Sequence, residues 1–312
     1  MGGFGNKKSG YAAGSFGAGS DGATYIPVFS QFNVGSIVNG EEVPVGSTLQ
    51  SFAEQLLAGA IFNPVLYQPV FTTTPKKPDL SPLSLFQEVG TLLDLKILFG
   101  FSRGSIIGKL VSGVWQSAVL QDYRSGPLVT YRIGGGEAGL GTNNNFELNG
   151  LPISEGDNLL EFFADYNVGE QPTNSAGASY STQLEAGTLQ SDITIKGTRA
   201  AFFGADSNVV PATTSDHVRS LDGLLVNVTD GSTFTINIEA NDSRVTFAFP
   251  KSLGMVSSVI DVEGLGLDIK GSFTRSEASV YGANAYAATD YYVYSLIPDV
   301  LFTAGRTYQV TI

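Results

Sequence analysis

From about Ser84 to the C-terminus, apolar and polar residues alternate with a period of two, which predicts half-buried β-strands. Successive runs are Leu85–Gln87, Thr91–Phe101, Ile107–Val111, Val114–Val119, Leu128–Ile133, Phe146–Leu148, Asn158–Tyr166 and Asp192–Phe203. Gly90 and Gly100 punctuate them, and Phe101–Ile106 (FSRGSI) reads as a turn. Seven or eight short strands in about 120 residues, with turns every 8–12, predict an Ig-like β-sandwich over residues 84–205. Trp115, the sole tryptophan, is expected in its core. A polar stretch, 206–222, reads as a linker. The runs Leu224–Thr229, Thr233–Ala240, Arg244–Pro250, Met255–Val262, Gly266–Ser272, Tyr291–Leu296 and Thr307–Ile312 then predict a second β domain over 223–312. Asp230-Gly231 and Asn241-Asp242 mark two of its turns.

The pattern differs before residue 70. Ile37-Val38 and Val43–Val45 flank Asn39-Gly40, a type I′ hairpin signal. Ser47 stands three residues before Gln50, the spacing of a capping box. Leu49, Phe52, Ala53, Leu56 and Ala60 then recur at helical spacing and share one face. Asn63-Pro64 ends that helix, because a residue before proline avoids the α region. So short a helix is marginal alone in water, so its stripe needs cover. The cover is either the chain's own β structure or a second copy, which makes Leu49, Phe52 and Leu56 candidate oligomer-interface residues. Residues 25–70 thus form a hairpin–helix base, and 71–83, with the run TTTPKKPDLSP, a Pro-rich linker. Residues 1–24 are rich in Gly, Ala and Ser, a composition that cannot offset chain entropy by burial and predicts a flexible arm. The expected fold class is all-β: two β-sandwich (Ig-like) domains in tandem after a Gly-rich arm and a short hairpin–helix base.

Composition supports this picture. The chain carries 38 glycines, 20 phenylalanines and 13 tyrosines, suited to tight turns and aromatic-rich strands. A formal net charge of −12 argues against a basic nucleic-acid surface. With no cysteine there are no disulfides or thiolate metal sites, and the single histidine, His217, leaves little for a zinc site. No apolar run reaches membrane-span length, and the first residues lack the apolar region of a signal peptide. The expectation is a protein made in a cytoplasm, with no membrane insertion, metal or cofactor.

Candidate chemistry is sparse. Gly134, Gly136 and Gly139 spell GxGxxG after a strand, but loop and strand sequence follows where a dinucleotide site needs a helix. Asp157, Glu161 and Asp165 share one strand face, with neighbours roughly 13 Å apart, beyond glycosidase spacing. Asn143–Asn145 and Asp165 could offer oxygen ligands to calcium, but without EF-hand spacing. His217 lies in polar sequence. The tyrosines offer more: alternation puts Tyr292 and Tyr294 on one face and Tyr291 on the other. Tyrosines serve cores, subunit contacts and sugar stacking alike. Tyr281, Tyr286 and Tyr291 are the candidates for glycan or receptor contact, with Tyr281–Tyr286 (YGANAY) as an exposed tip.

Three local patterns resemble virion structural proteins of tailed phages that infect Bacteroidota, including the crAss-like phages. The first is Asn33-Val34-Gly35, Gly46-Ser47-Thr48-Leu49, a short helix and Phe62-Asn63-Pro64. The second is Glu88-Val89-Gly90-Thr91, Phe101–Ile106, and Ile195–Arg199 with Phe202-Phe203. The third is Tyr292-Val293-Tyr294 with Thr307–Ile312. The resemblance covers most of residues 33–312, though not the Gly-rich arm, and is to a class of module rather than to one protein. It implies a non-enzymatic head or tail fibre or appendage subunit in a virion. Its arm would anchor to other virion proteins of the capsid or tail through Phe4, Lys7, Lys8, Tyr11 and Phe16. It would assemble as a homotrimer or homodimer and display its β domains for decoration or for adhesion to host-surface glycans. The rival expectations are a carbohydrate-binding adhesin module and a glycan-degrading appendage.

Overall fold

A computed structural model describes residues 61–134, 139–206, 214–298 and 301–312. The expected arm, the hairpin at Asn39-Gly40, the helix with Leu49, Phe52 and Leu56, and the anchoring residues Phe4, Lys7, Lys8, Tyr11 and Phe16 lie outside the described residues. What is described is nearly all β. The chain begins with β1 (Val65–Tyr67), β2 (Val70–Lys76), β3 (Phe86–Glu88), β4 (Leu92–Ser102), β5 (Ser105–Val111) and β6 (Val114–Asp122). It continues with β7 (Leu128–Ile133), β8 (Asn145–Pro152), β9 (Gly156–Tyr166), β10 (Gly187–Thr198) and β11 (Ala201–Asp206). A short helix, α1 (Ser215–Arg219), precedes β12 (Gly223–Leu225), β13 (Thr233–Ile238), β14 (Arg244–Pro250) and β15 (Ser258–Asp261). The last strands are β16 (Leu267–Asp268), β17 (Thr274–Val280), β18 (Thr289–Leu296) and β19 (Arg306–Thr311).

The chain divides into two compact units. The larger holds residues 70–102, 128–166 and 187–312. Within it, two pairs of layers follow one another. In the first pair, the sheet β2-β4-β8 shares a core with the sheet β3-β10-β9-β7. β4 shows why: Leu93, Leu95, Ile97 and Phe99 alternate inward and are all buried. They meet Phe162, Ala164, Ile193 and Ile195 from the other sheet. Phe99 lies 4.4 Å from Tyr131 and 5.6 Å from Phe162 between ring centroids, within the range where aromatic pairs add to burial.

The second pair joins the sheet β12-β11-β14-β18-β17 to the sheet β13-β19-β15-β16. Here β14 is buried along its whole length. Val245, Phe247 and Phe249 point into the core shared with Phe234, Ile236, Tyr308 and Val310. Ala248, on the opposite face, packs with Phe202, Val218, Leu221, Tyr291 and Val293 under α1. A strand covered on both faces reads as a continuous apolar run, and RVTFAFP comes close to one. Tyr294 stacks on both Phe247 and Phe249, at 5.1 and 5.8 Å between centroids.

Several sequence expectations are corrected. The stretch expected as a Pro-rich linker contains β2, which pairs with β4 and buries Phe71. Its Thr72–Thr74 run is β-branched, and such residues favour strands, whereas the proline signal dominated the reading. The run Asp192–Phe203 is two strands in different sheets: β10 pairs with β9, and β11 pairs with β14. The first layer pair therefore ends at Thr198. The stretch expected as a linker, 206–222, holds α1, capped by Thr214, whose hydroxyl accepts the His217 N–H. Val218 and Leu221 anchor that helix in the core.

The smaller unit holds residues up to Pro69, 103–127 and 167–186. Its described sheet runs β1-β5-β6. Ser112 and Gly113 both take positive φ, 49° and 80°, which makes the β5–β6 connection a tight hairpin. The remainder is loop held by side chains: Gln121 donates to the Thr173 hydroxyl, and Arg124 donates to the Thr182 carbonyl, each through nitrogens of the side chain. Trp115 belongs to this sheet. It is half-buried and is absent from the cores described above, contrary to expectation.

Candidate functional site

The stretch expected as an exposed binding tip, Tyr281–Tyr286, is a joint between the two layer pairs of the larger unit. Asn284 and Ala285 take positive φ, and this tight turn presses onto Val89 and Gly90. The Ala283 N–H donates to the Val89 carbonyl at 2.8 Å. The Asn284 side-chain amide donates to the Gly90 carbonyl at 2.9 Å. Two arginines frame the turn. Arg199 donates to the Glu155 carboxylate at 3.0 and 3.2 Å and to the Ala287 carbonyl at 2.6 Å, and it lies 5.3 Å from the Tyr286 ring. Arg219, on α1, makes a two-pronged ion pair with Glu88 and donates to the Tyr281 carbonyl at 2.9 Å.

These contacts sort the three candidate tyrosines. Tyr281 is exposed. Tyr286 is half-buried in the joint. Tyr291 is 2% exposed, and its hydroxyl donates to the Ala200 carbonyl at 2.9 Å. Burial raises its phenol pKa, because the phenolate would lose its hydration. Tyr291 is therefore a core residue and not a surface contact. Alternation was read correctly, but both faces of β18 pack on core, so the face that carries Tyr291 is closed to a ligand.

The carboxylates of β9 do share an outward face, as alternation requires. Asp165 accepts two hydrogen bonds from Arg132, at 2.6 and 2.9 Å, and a third from Thr188 at 2.6 Å. The Arg132 bonds, above all, hold the Asp165 carboxyl below its ordinary pKa. Glu161 accepts from the Gln190 side-chain amide. Gly134 and Gly139 are followed by loop and β8, whereas Gly136 lies outside the described residues.

A concave site that sequence reasoning missed lies on the second layer pair. A pocket of 470 Å³ is lined by Met255, Val256, Lys270, Gly271, Arg275 and Tyr294. β17 supplies Arg275, the turn before it supplies Lys270, and the core residues Val256 and Tyr294 form an apolar floor. Lys270 donates to the Ser257 carbonyl at 3.1 Å. Arg275 lies 2.7 Å from the Met255 sulfur and 5.0 Å from the Tyr292 ring. Neither cation forms an ion pair among the described residues, whereas the nearby Lys251 is tied to Glu277 at 2.5 Å. Two cations without a carboxylate partner among the described residues, set over an apolar floor, can hold a small anionic group such as a carboxylate. The lining residues come from three separate stretches of chain, so no local motif announces the pocket.

Comparison with protein-family models, with curated proteins and with solved structures finds no match for this chain.

Proposed function

We propose that the chain is a virion structural protein, a head or tail fibre or appendage subunit. Residues 1–24 anchor it to capsid or tail proteins, and its β layers are displayed for decoration or host adhesion. It assembles as a homotrimer or homodimer, and neither metal nor cofactor takes part. Both layer pairs are read as Ig-like sandwiches, and the resemblance over residues 33–312 gives the class. The observation that carries the reading is the joint at Tyr281–Tyr286. Arg199 and Arg219 lock successive β modules into one stiff unit, which suits an element that projects a surface rather than one that closes on a substrate. Repeated display of weak contacts raises avidity without any single strong site.

The test is deletion of residues 1–24 in an infecting phage genome. Thermal unfolding of the isolated variant is expected to stay unchanged while the protein disappears from purified particles. Normal incorporation would refute the anchor, and absence of the full-length protein from particles would refute the whole reading.

A second reading, a carbohydrate-binding adhesin, is favoured by the Lys270–Arg275 pocket. It predicts retention on acidic glycans that Arg275→Ala abolishes. Equal retention of the variant would remove the pocket from consideration.

A further inference from the structure

The described sheet of the smaller unit exposes a cluster of large apolar side chains on one face. Register sets which residues share it: Val65 opposes Ile107, Ile107 opposes Leu120, and Val111 opposes Val114. With Tyr67 two residues beyond Val65, this face carries the large apolar side chains of Val65, Tyr67, Ile107, Val111, Val114 and Leu120, with the paired Lys109 and Gln116 between them and Ser105 opposite Tyr67. Five of these six large apolar side chains are between 41% and 60% exposed, and Ile107 is half-buried. On the other face Ile106 is fully buried, while Leu110 and Val119 towards the hairpin end are 47% and 39% exposed. The uncovered area is on the order of 400–500 Å², within the ~300–600 Å² of the largest patch on a typical monomer, a size that is often functional. A three-stranded sheet needs one packed face to be stable, and β1 contributes three residues.

The sequence predicts an apolar helical stripe next to it along the chain. The stripe Leu49, Phe52, Ala53, Leu56 and Ala60 ends five residues before β1 begins at Val65. Residues 61–64 span at most ~14 Å. A helix of the predicted extent is ~20 Å long, and the seven-residue β5 is ~23 Å, so the stripe and the face match in length. A short tether holds the stripe at an effective concentration in the millimolar range, which favours the chain's own sheet over that of another copy.

We propose that the segment Leu49–Ala60 docks its apolar stripe on the Val65–Val114–Leu120 face of its own β1-β5-β6 sheet. The stripe is then the missing layer of the smaller unit rather than an oligomer seam. This does not depend on the function proposed above.

The chain has no cysteine, so cross-linking is clean. The full chain bearing Leu56→Cys and Val114→Cys should oxidise to a faster-migrating single chain on a non-reducing denaturing gel. Ser51→Cys with Val114→Cys, from the opposite side of the stripe, should not. Disulfide-linked dimers or trimers in place of the single-chain band would overturn the proposal in favour of a second copy. No cross-link in either form would overturn it altogether. As a second measurement, Leu56→Asp should speed amide exchange in β5 and β6 tenfold or more while β14 and β18 keep their protection. Unchanged exchange in β5 and β6 would also overturn it.

Discussion

Glu88 and Arg219 lie 131 residues apart in sequence and meet in a two-pronged ion pair. Glu88 ends β3 in the first layer pair, and Arg219 ends α1 in the second. The glutamate side chain is 11% exposed and the arginine side chain 27%. Removing one partner of a mostly buried pair strands the other charge in a poor solvent. Arg219→Ala is therefore expected to cost about 2–4 kcal/mol in chemical unfolding, slightly under the ~3–5 kcal/mol of a fully buried pair. Because Arg219 also covers the Phe202 ring at 5.1 Å, part of that loss is packing. A double-mutant cycle with Glu88→Gln isolates the pair, with a coupling of about 1–3 kcal/mol expected. Additive losses would mean that the pair does not join the layers.

Gly90 offers a sharper probe of the same joint. Its φ is +84°, and a Cβ there would stand 2.0 Å from the Ala283 carbonyl oxygen, a backbone atom that cannot swing away. Gly90→Ala must strain its own backbone and push the Tyr281–Tyr286 turn off β3. We expect a loss above about 2 kcal/mol, from ~1–3 kcal/mol of conformational strain plus the clash. Gly231 is the control: it sits in a tight turn with nearly the same φ, +79°, and open space around its Cβ. Gly231→Ala should cost only about 1 kcal/mol. Equal effects of the two substitutions in thermal unfolding would show that the joint yields freely.

The strands of the cores were legible because alternation reports burial directly. Leu128–Ile133 matches β7, Arg244–Pro250 matches β14, and Thr91–Phe101 differs from β4 by one residue at each end. Which sheet a strand joins was not legible. Only Arg199 and Ala200 separate β10 from β11, and nothing local in that run distinguishes a chain that continues from one that changes partners. The joint was hidden for the same reason: Tyr281–Tyr286 has the glycine, asparagine and alanine of an exposed tip, and its contacts at Val89 and Gly90 lie nearly 200 residues away. β6 failed in the opposite sense. Its apolar alternation was read as core strand, yet most of it is exposed among the described residues.

Phe247 tests whether the second core is one packed body. It touches Phe234, Phe249, Phe273 and Tyr294 at ring-centroid distances between 5.1 and 6.4 Å. Phe247→Ala removes the hub of this cluster and is expected to cost about 3–5 kcal/mol. Phe247→Leu keeps much of the volume and should cost clearly less. Denaturant midpoints of both variants decide it, and similar losses would mean that ring stacking, rather than filled volume, dominates the site.

Asp165 gives the fold a pH dependence whose sign follows from its partners. Arg132, first, and Thr188 hold its folded pKa below the value in the unfolded chain, about 3.9. A group with a lowered folded pKa contributes stability above its unfolded value, and that contribution fades as pH falls towards the folded value. Both side chains are roughly a quarter exposed, so solvent screening limits the size of the effect. Asp165→Asn should therefore lower the Tm by a constant amount above about pH 5, and the gap to the parent should close below about pH 4. Arg132→Gln should reproduce this pH profile, because it removes the same charge interaction from the other side. A gap that persists unchanged at pH 2–3 would show that Asp165 acts through packing and neutral hydrogen bonds to Thr188, and not through its charge.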